Sequence, residues 1–396
     1  MNVRALRVLV VDDSAINRRT LSSILREQTA VDVVGTASGG DEALRLVASL
    51  NPDLITLDLE MPRMDGFTFL RLLMASRPTP VVVVSNHSAK ENVFRALELG
   101  AIDFIAKPDQ LLAGGGTEGL RLQLEQMIRV VRQLSPSLWR NGRTPQTMAG
   151  LPKATGQLTS PEPASPPLST SSLFKPGGKP SRILSSGHGN VAGGVGLSVD
   201  STQSTKPSKL VVIASSTGGP TALLEMFSKL PVDSPAALLV AQHMPERFTG
   251  AFAQRLDRLS SFTVREAGEH QLITAGLALI CPGGRCLEVR RAGDRYVAHV
   301  VWPEQQDRYA PSADRLFISA ARVASSDVIG VVLTGMGDDG ASGAEAIKEA
   351  GGRVLVESEE TAVVFGMPRA AAQRGAVDHV LPLSSLVDCL VSMLRA

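Results

Sequence analysis

At 396 residues the chain is too long for one ordinary core of about 100–200 residues, so two domains are expected. Hydrophobic residues make up 43% and charged residues 20%, which suits a globular chain and excludes wholesale disorder. The formal net charge of +1 supplies no field that would draw the whole chain to nucleic acid or to an anionic membrane.

From the N-terminus, residues 7–13 (RVLVVDD), 31–36, 53–58 (DLITLD), 80–85 (PVVVVS) and 102–106 read as strands. Helical patterns lie between and after them, over 15–27, 40–49, 67–76, 89–99 and 118–134. Strand–helix alternation of this kind predicts a parallel sheet with helices on both faces. Composition then changes. Over 136–207, Pro, Gly, Ser and Thr supply 39 of 72 residues and no apolar period persists, so a flexible linker is expected. Alternation resumes with a strand over 210–214, a helix to about 229, a strand over 237–242, a strand over 328–333 and a helix over 340–350. Residues 262–301 read as β structure, expected to form hairpins. The second domain is thus predicted to be α/β with a small antiparallel insertion. The first apolar run is short and ends in two carboxylates, unlike a signal peptide. No apolar run approaches the ~18 residues of a membrane span. Cys281, Cys286 and Cys389 form no Cys-x-x-Cys pair, which fits a reducing compartment and offers no zinc site. A cytoplasmic protein without membrane insertion is expected.

In open parallel sheets functional groups gather at the carboxyl ends of the strands. In the first domain those ends carry Asp12, Asp13, Asp58, Ser85 and Lys107. Converging carboxylates repel unless a hard divalent cation sits among them, and Mg²⁺ takes such oxygen ligands. One carboxylate can then act as a nucleophile toward phosphorus, with Ser85 and Lys107 binding phosphoryl oxygens. The competing reading of any one of these residues is a helix cap.

VVDDS (10–14), LDLEMPRMDG (57–66), the serine after the four-valine strand and AKP (106–108) resemble the response-regulator receiver family. The resemblance implies a flavodoxin-like domain over 4–135, with a five-stranded parallel sheet. It also implies a phospho-accepting Asp58, Mg²⁺ held by Asp12, Asp13 and Asp58, a phosphoryl contact from Lys107 and a switch hydroxyl at Ser85. Phe104 stands at the switch aromatic position, where Tyr is frequent.

In the second domain LVVIASSTGGP (210–220) runs strand, small-residue turn, helix. Ala214-Ser215-Ser216-Thr217-Gly218 is a loosened Gly-x-Ser-x-Gly turn, which presents a serine at a helix N-terminus. Phosphate-binding turns and plain tight turns share this pattern. Among six histidines, His243 ends the next apolar strand and so reaches the same edge as Ser216. TGMGDDG (334–340) offers carboxylates to orient a histidine and backbone N–H groups for an oxyanion. A helix cap is the rival reading. The order Ser…His…Asp argues against the α/β-hydrolase fold.

IASSTGGP, QHMP (242–245), CPGG (281–284), YAPSAD (309–314), VVLTGMGDDG and VVFGMPRAA together resemble the chemotaxis protein-glutamate methylesterase (CheB) family. The resemblance covers both domains and leaves out the 136–207 linker. It implies a doubly wound methylesterase domain over 208–396, with Ser216 as nucleophile, His243 as base, Asp339 as orienting acid and the Met336 backbone N–H in the oxyanion hole. Two departures stand out: Ser215 where the family often has Ala, and Asp338 where it often has Asn. A carboxylate beside Asp339 is expected to raise the pKa of one of the two.

The implied activity is phosphorylation-activated hydrolysis of glutamate γ-methyl esters on methyl-accepting chemoreceptors, with deamidation of receptor glutamines by the same acyl chemistry. A chemotaxis histidine kinase is the implied phosphodonor, the esterase needs no cofactor, and a monomer is expected. In the family the unphosphorylated receiver covers the esterase cleft. A phosphorylation-gated adaptor with a vestigial hydrolase site is the alternative. A transcription regulator is disfavoured, because the second domain is net negative and has no basic helix-turn-helix.

Overall fold

Strand β1 (Leu6–Val11) opens the computed structural model, which describes residues 4–85, 90–107, 117–134 and 205–395. It is joined by β2 (Val31–Ala37), β3 (Leu54–Leu57), β4 (Val81–Ser85) and β5 (Asp103–Ala106) in a parallel sheet of order β2-β1-β3-β4-β5. Alternate residues of β1 serve different layers. Leu9 and Val11 pack with α2 (Gly40–Leu50) and α3 (Gly66–Ser76). Val8 and Val10 pack with α1 (Ala15–Arg26) and α5 (Thr117–Gln133). Strands covered on both faces must be apolar throughout, and Val81 to Val84 are all buried. Helix α4 (Lys90–Glu98) completes this half. Local caps start two of the helices: the Ser14 hydroxyl accepts from the Asn17 amide, and the Asp65 carboxylate from the Thr68 amide.

The second half is built on seven parallel strands: β6 (Lys209–Ser215), β7 (Ala236–Gln242), β8 (Thr263–Glu266), β10 (Leu277–Ile280), β13 (Val328–Val332), β14 (Arg353–Glu357) and β15 (His379–Leu381). Their order is β15-β14-β13-β6-β7-β10-β8. The chain enters at the central β6, builds outward through β7 to one edge, then returns to β13 and builds toward the other. β6 and β13 therefore flank the topological switch point, where crevices form beyond the strand ends. The connecting helices are α6 (Gly219–Ser228), α7 (Glu246–Leu259), α8 (Ala313–Ala324), α9 (Ala341–Glu349), α10 (Met367–Gln373) and α11 (Leu383–Arg395).

The predicted antiparallel insertion is present as β9 (Gln271–Ile273), β11 (Cys286–Ala292) and β12 (Arg295–Val301). The expectation of hairpins over 262–301 holds for β11 and β12 and needs correction for β8 and β10, which extend the parallel sheet. β8 exposes every residue but Val264, as a hairpin strand would, so its pattern does not reveal a parallel partner.

The two halves meet along α4 and α7. Phe94 stacks on Phe252 with ring centroids 5.4 Å apart, and Phe104 lies against Phe248 at 4.5 Å. Arg255 Nε donates to Glu98 at 2.9 Å, and Arg258 reaches Glu91 at 3.1 Å. The aromatic contacts carry most of this seam, since an exposed ion pair such as Arg258–Glu91 contributes little. Residues 136–204, which make up nearly all of the expected linker, lie outside the described residues, as does Pro108. No helix among the described residues is long and apolar enough to cross a membrane. All three cysteines are free thiols.

Candidate active site

Two sites lie at strand ends. At the first, β1 and β3 deliver Asp12, Asp13 and Asp58, whose carboxylate oxygens lie within 4.8 Å of one another. Hard oxygen donors at this spacing suit Mg²⁺. Asp12 is fixed by the Ser14 amide at 2.9 Å and the Asn17 side-chain amide at 3.3 Å. Lys107 Nζ donates to Asp12 at 2.8 Å and also to Asp58. Burial alone would lower the pKa of this ammonium, but the Asp58 and Asp12 carboxylates outweigh it and hold it above its ordinary value. The Ser85 hydroxyl is buried and has no hydrogen-bond partner among the described residues. A buried hydroxyl left without a partner retains its full hydrogen-bonding capacity.

At the second site the chain leaves β6 through Ser216, Thr217 and Gly218 and enters α6. Gly218 has φ +78°, and a Cβ there would fall 2.7 Å from Val363 Cβ, so this turn requires glycine. The two adjacent serines separate cleanly. Ser215 is 0% exposed and donates its hydroxyl to Gln242 Oε1 at 2.7 Å. Ser216 faces the cleft, and its amide donates to the Thr334 carbonyl at 3.0 Å. Gln242 ties the strand ends together, donating from Nε2 to the carbonyls of Ser216 (3.0 Å) and His243 (2.9 Å). Gly335 packs so tightly on Ser216 that a Cβ there would lie 2.7 Å from Ser216 Cβ. This close approach carries the Met336 backbone alongside the serine.

His243 follows β7 directly. Its Nε2 pairs with Asp339 Oδ2 at 2.8 Å, which leaves Nδ1 free to face the cleft. Asp339 is 1% exposed and sits at the N-terminus of α8. There it accepts from the Ala313 amide (2.7 Å), the Asp314 amide (2.9 Å) and the Ser312 hydroxyl (3.4 Å). A helix N-terminus favours negative charge, so this carboxylate is both fixed and stabilised. Ser216 and His243 share the cleft without a mutual hydrogen bond among the described residues. Such pairs commonly tighten only with substrate present.

Of the two adjacent carboxyls, one of which is expected to rise, Asp338 moves the other way. Its carboxylate is turned to Tyr309, whose hydroxyl donates at 2.9 Å, and to Arg308 Nη1 at 2.9 Å. Burial alone would raise Asp338, but these two donors outweigh it and hold it below the ordinary range. The carboxyl that does rise near Asp339 is Asp314, pushed up to about 6 by burial, with the Asp339 charge adding to the effect. Tyr309 lies flat against His243, with ring centroids 5.0 Å apart and planes 9° from parallel. Sequence reasoning gave no role to Gln242, Tyr309 or Ser312. Their signal was their place inside the QHMP and YAPSAD stretches.

The cleft, about 440 Å³, is lined by Ser216, Thr217, His243 and Gly284 on one side and by Asp103, Phe104 and Met127 on the other. The first half of the chain therefore closes over the second site. Asp103 accepts from the Phe104 amide at 2.8 Å and from the Thr217 side chain, and burial pushes its carboxyl up to about 6.

Comparison with known proteins places this geometry in a family. Residues 8–113 match the model of the response regulator receiver domain, and residues 211–390 match that of the CheB methylesterase. The chain is 44% identical over 396 residues to protein-glutamate methylesterase/protein-glutamine glutaminase 6 of Anaeromyxobacter dehalogenans, covering 99% of this chain and 97% of that one. It is 42% identical to protein-glutamate methylesterase/protein-glutamine glutaminase 1 of Myxococcus xanthus, over 98% and 97% of the two chains. Among solved structures, the Thermotoga maritima CheB methylesterase catalytic domain is 38% identical, covers 47% of this chain and 98% of its own, and has a TM-score of 0.46. With receiver and methylesterase regions in one chain and relatives matched from end to end, the protein belongs to the CheB protein-glutamate methylesterase/protein-glutamine glutaminase family.

Proposed function

We propose that the chain is a phosphorylation-activated protein-glutamate methylesterase that also deamidates glutamine side chains, acting on chemoreceptors. The observation that carries this reading is the imidazole of His243, held by Asp339 in a helix N-terminus and presented to the cleft that Ser216 lines. Ser216 Oγ attacks the γ-ester carbonyl while His243 Nδ1 takes its proton. The Met336 N–H donates to the developing oxyanion. His243 returns the proton to the methoxide as the tetrahedral intermediate collapses, and methanol leaves. Water, deprotonated by the same imidazole, then attacks the acyl-serine and frees the glutamate. With a glutamine side chain, ammonia takes the place of methanol.

Asp58 accepts the phosphoryl group from a chemotaxis histidine kinase. Asp12, Asp13 and Asp58 would hold Mg²⁺, which would supply charge neutralisation for phosphoryl transfer to Asp58. Lys107 and the free Ser85 hydroxyl bind its oxygens. Ser85 moves toward them, Phe104 follows into the space vacated, and the Phe104–Phe248 contact that closes the cleft is lost. An intact cleft with all three hydrolase side chains argues against the adaptor alternative.

Methanol release from methylated receptor membranes tests the reading. The wild-type chain is expected to release methanol, faster with a small phosphodonor and Mg²⁺, and Ser216→Ala is expected to release none. Ser215→Ala should retain activity, because that hydroxyl serves only Gln242. Inactivation by Ser215→Ala with Ser216→Ala still active would refute the assignment.

A further inference from the structure

The turn at residues 281–285 follows β10, whose end lies beside that of β7 on the edge that carries His243. Its position is tightly fixed. A Cβ on Gly283 would lie 2.4 Å from both the Met244 carbonyl oxygen and the Glu246 amide nitrogen, and the Gly283 amide donates to Thr249 Oγ1 at 3.2 Å. Gly284 lines the cleft. The next residue, Arg285, lays its guanidinium over the indole of Trp302, and that indole is 72% exposed.

The charge at Arg285 is unanswered. Its Nη1 is buried without a hydrogen-bond partner, and no carboxylate pairs with the guanidinium among the described residues. Acidic groups close in sequence to Arg285 and Trp302 are already engaged: Arg315 takes Glu288, Asp307 at 2.6 Å and Glu304 at 3.3 Å. A guanidinium carries five donors, and a buried unpaired one is costly. A tryptophan face holds it flat by cation–π attraction, and with Nη1 covered the Nε–Nη2 edge is the one open to a planar, bidentate anion.

We infer that Arg285 and Trp302 form a carboxylate-reading rim of the cleft, which takes an acidic side chain flanking the esterified glutamate on the substrate protein. The inference rests on the esterase reading and deepens it. A γ-methyl ester and a glutamine amide are both neutral, so a guanidinium here does not serve the reacting group itself. On a helical substrate, acidic residues three, four or seven positions away lie within one or two turns, about 5–11 Å along the axis. Arg285 is one residue beyond the cleft lining, with Cα atoms 3.8 Å apart and a long side chain. Its reach matches that spacing.

The test uses the full chain activated with a small phosphodonor and two helical peptides. Each peptide carries one glutamate γ-methyl ester, with Glu or Ala four residues away. The wild-type chain is expected to favour the Glu peptide in kcat/KM by roughly tenfold at low salt, through KM, as a charge-assisted bidentate contact implies. The preference should shrink at high salt. Arg285→Gln should abolish it, Arg285→Lys should leave part of it, and Trp302→Ala should reduce it a few-fold. A wild-type chain that treats the peptides alike, or an Arg285→Gln variant that still prefers the Glu peptide, overturns the inference. Hydrolysis of neither peptide by the wild-type chain overturns the esterase reading and this inference with it.

Discussion

Replacing Asp103 with Asn should tighten the closed state of the cleft. Asp103 meets Thr217, next to the candidate nucleophile, and burial there pushes its carboxyl up to about 6 from an ordinary value of 3.8. If the group returns to its ordinary value when the receiver lifts away, closure binds a proton more tightly than opening does. The sign follows. Closure is strongest below pH 3.8, weakens as pH rises and reaches its floor above about 6. Two units at 1.36 kcal/mol each come to about 3 kcal/mol, or about a hundredfold in the closure equilibrium. Asp103 lines the cleft and is not wholly enclosed, so this is a ceiling.

The assay is methanol release by the unphosphorylated chain, divided at each pH by the rate with saturating phosphodonor. That ratio removes the pH dependence of the chemistry itself. For the wild type it should rise about tenfold between pH 5 and pH 7. For Asp103→Asn it should stay flat, and at pH 7.5 it should fall by between tenfold and a hundredfold. Asparagine keeps an acceptor for the Phe104 amide, so the fold of β5 is preserved. A higher unphosphorylated rate in Asp103→Asn would show that the charged carboxylate holds the halves together, and would refute the reasoning.

Asp339→Asn should lower methanol release by about three to four orders of magnitude, because the imidazole loses its orienting partner. Asp338→Asn should stay within a few-fold of wild type, since the amide oxygen still accepts from Tyr309; the reverse ranking in the same assay would overturn the triad. Asp58→Asn should abolish labelling by a radioactive small phosphodonor and leave the unphosphorylated esterase rate in place. Glu357, 1% exposed beneath the Thr334 amide, has its carboxyl raised by burial to about 7 from 4.5. Its contribution to stability is full below pH 4.5 and declines as pH rises through 7, by up to about 3 kcal/mol. Glu357→Gln should therefore gain thermal stability relative to wild type at pH 8 and not at pH 4.5, as read by calorimetry at the two values.

Much of this organisation is legible in the sequence because both sheets are parallel and buried. Unbroken apolar runs such as Val81–Val84 and Leu210–Ala214 mark strands, and the residues that follow them share one edge. Asp58 and His243 could be placed by that rule alone. The rule fails for β8, whose exposed residues imitate a hairpin strand. It also fails for α8, which supplies the cradle of Asp339 from a helix start rather than a strand end. Asp338 does not rise beside Asp339 because its neighbour in sequence is not its partner in space. Its partner, Tyr309, arrives from a loop 29 residues away. Asp103 carried no signal, since its surroundings exist only once the two halves meet.

The seam between α4, Phe104 and α7 has a further consequence. One face of the receiver is already occupied from within the chain, so any other protein that grips α4 or Phe104 competes with the chain's own second half. Linkage makes the competition reciprocal: such a protein opens the cleft as it binds, and whatever strengthens closure weakens its hold by the same factor. An upstream partner that docks on this face would thus act as an activator by occupancy, before any phosphoryl group is transferred. Its residence time would set how long the cleft stays open.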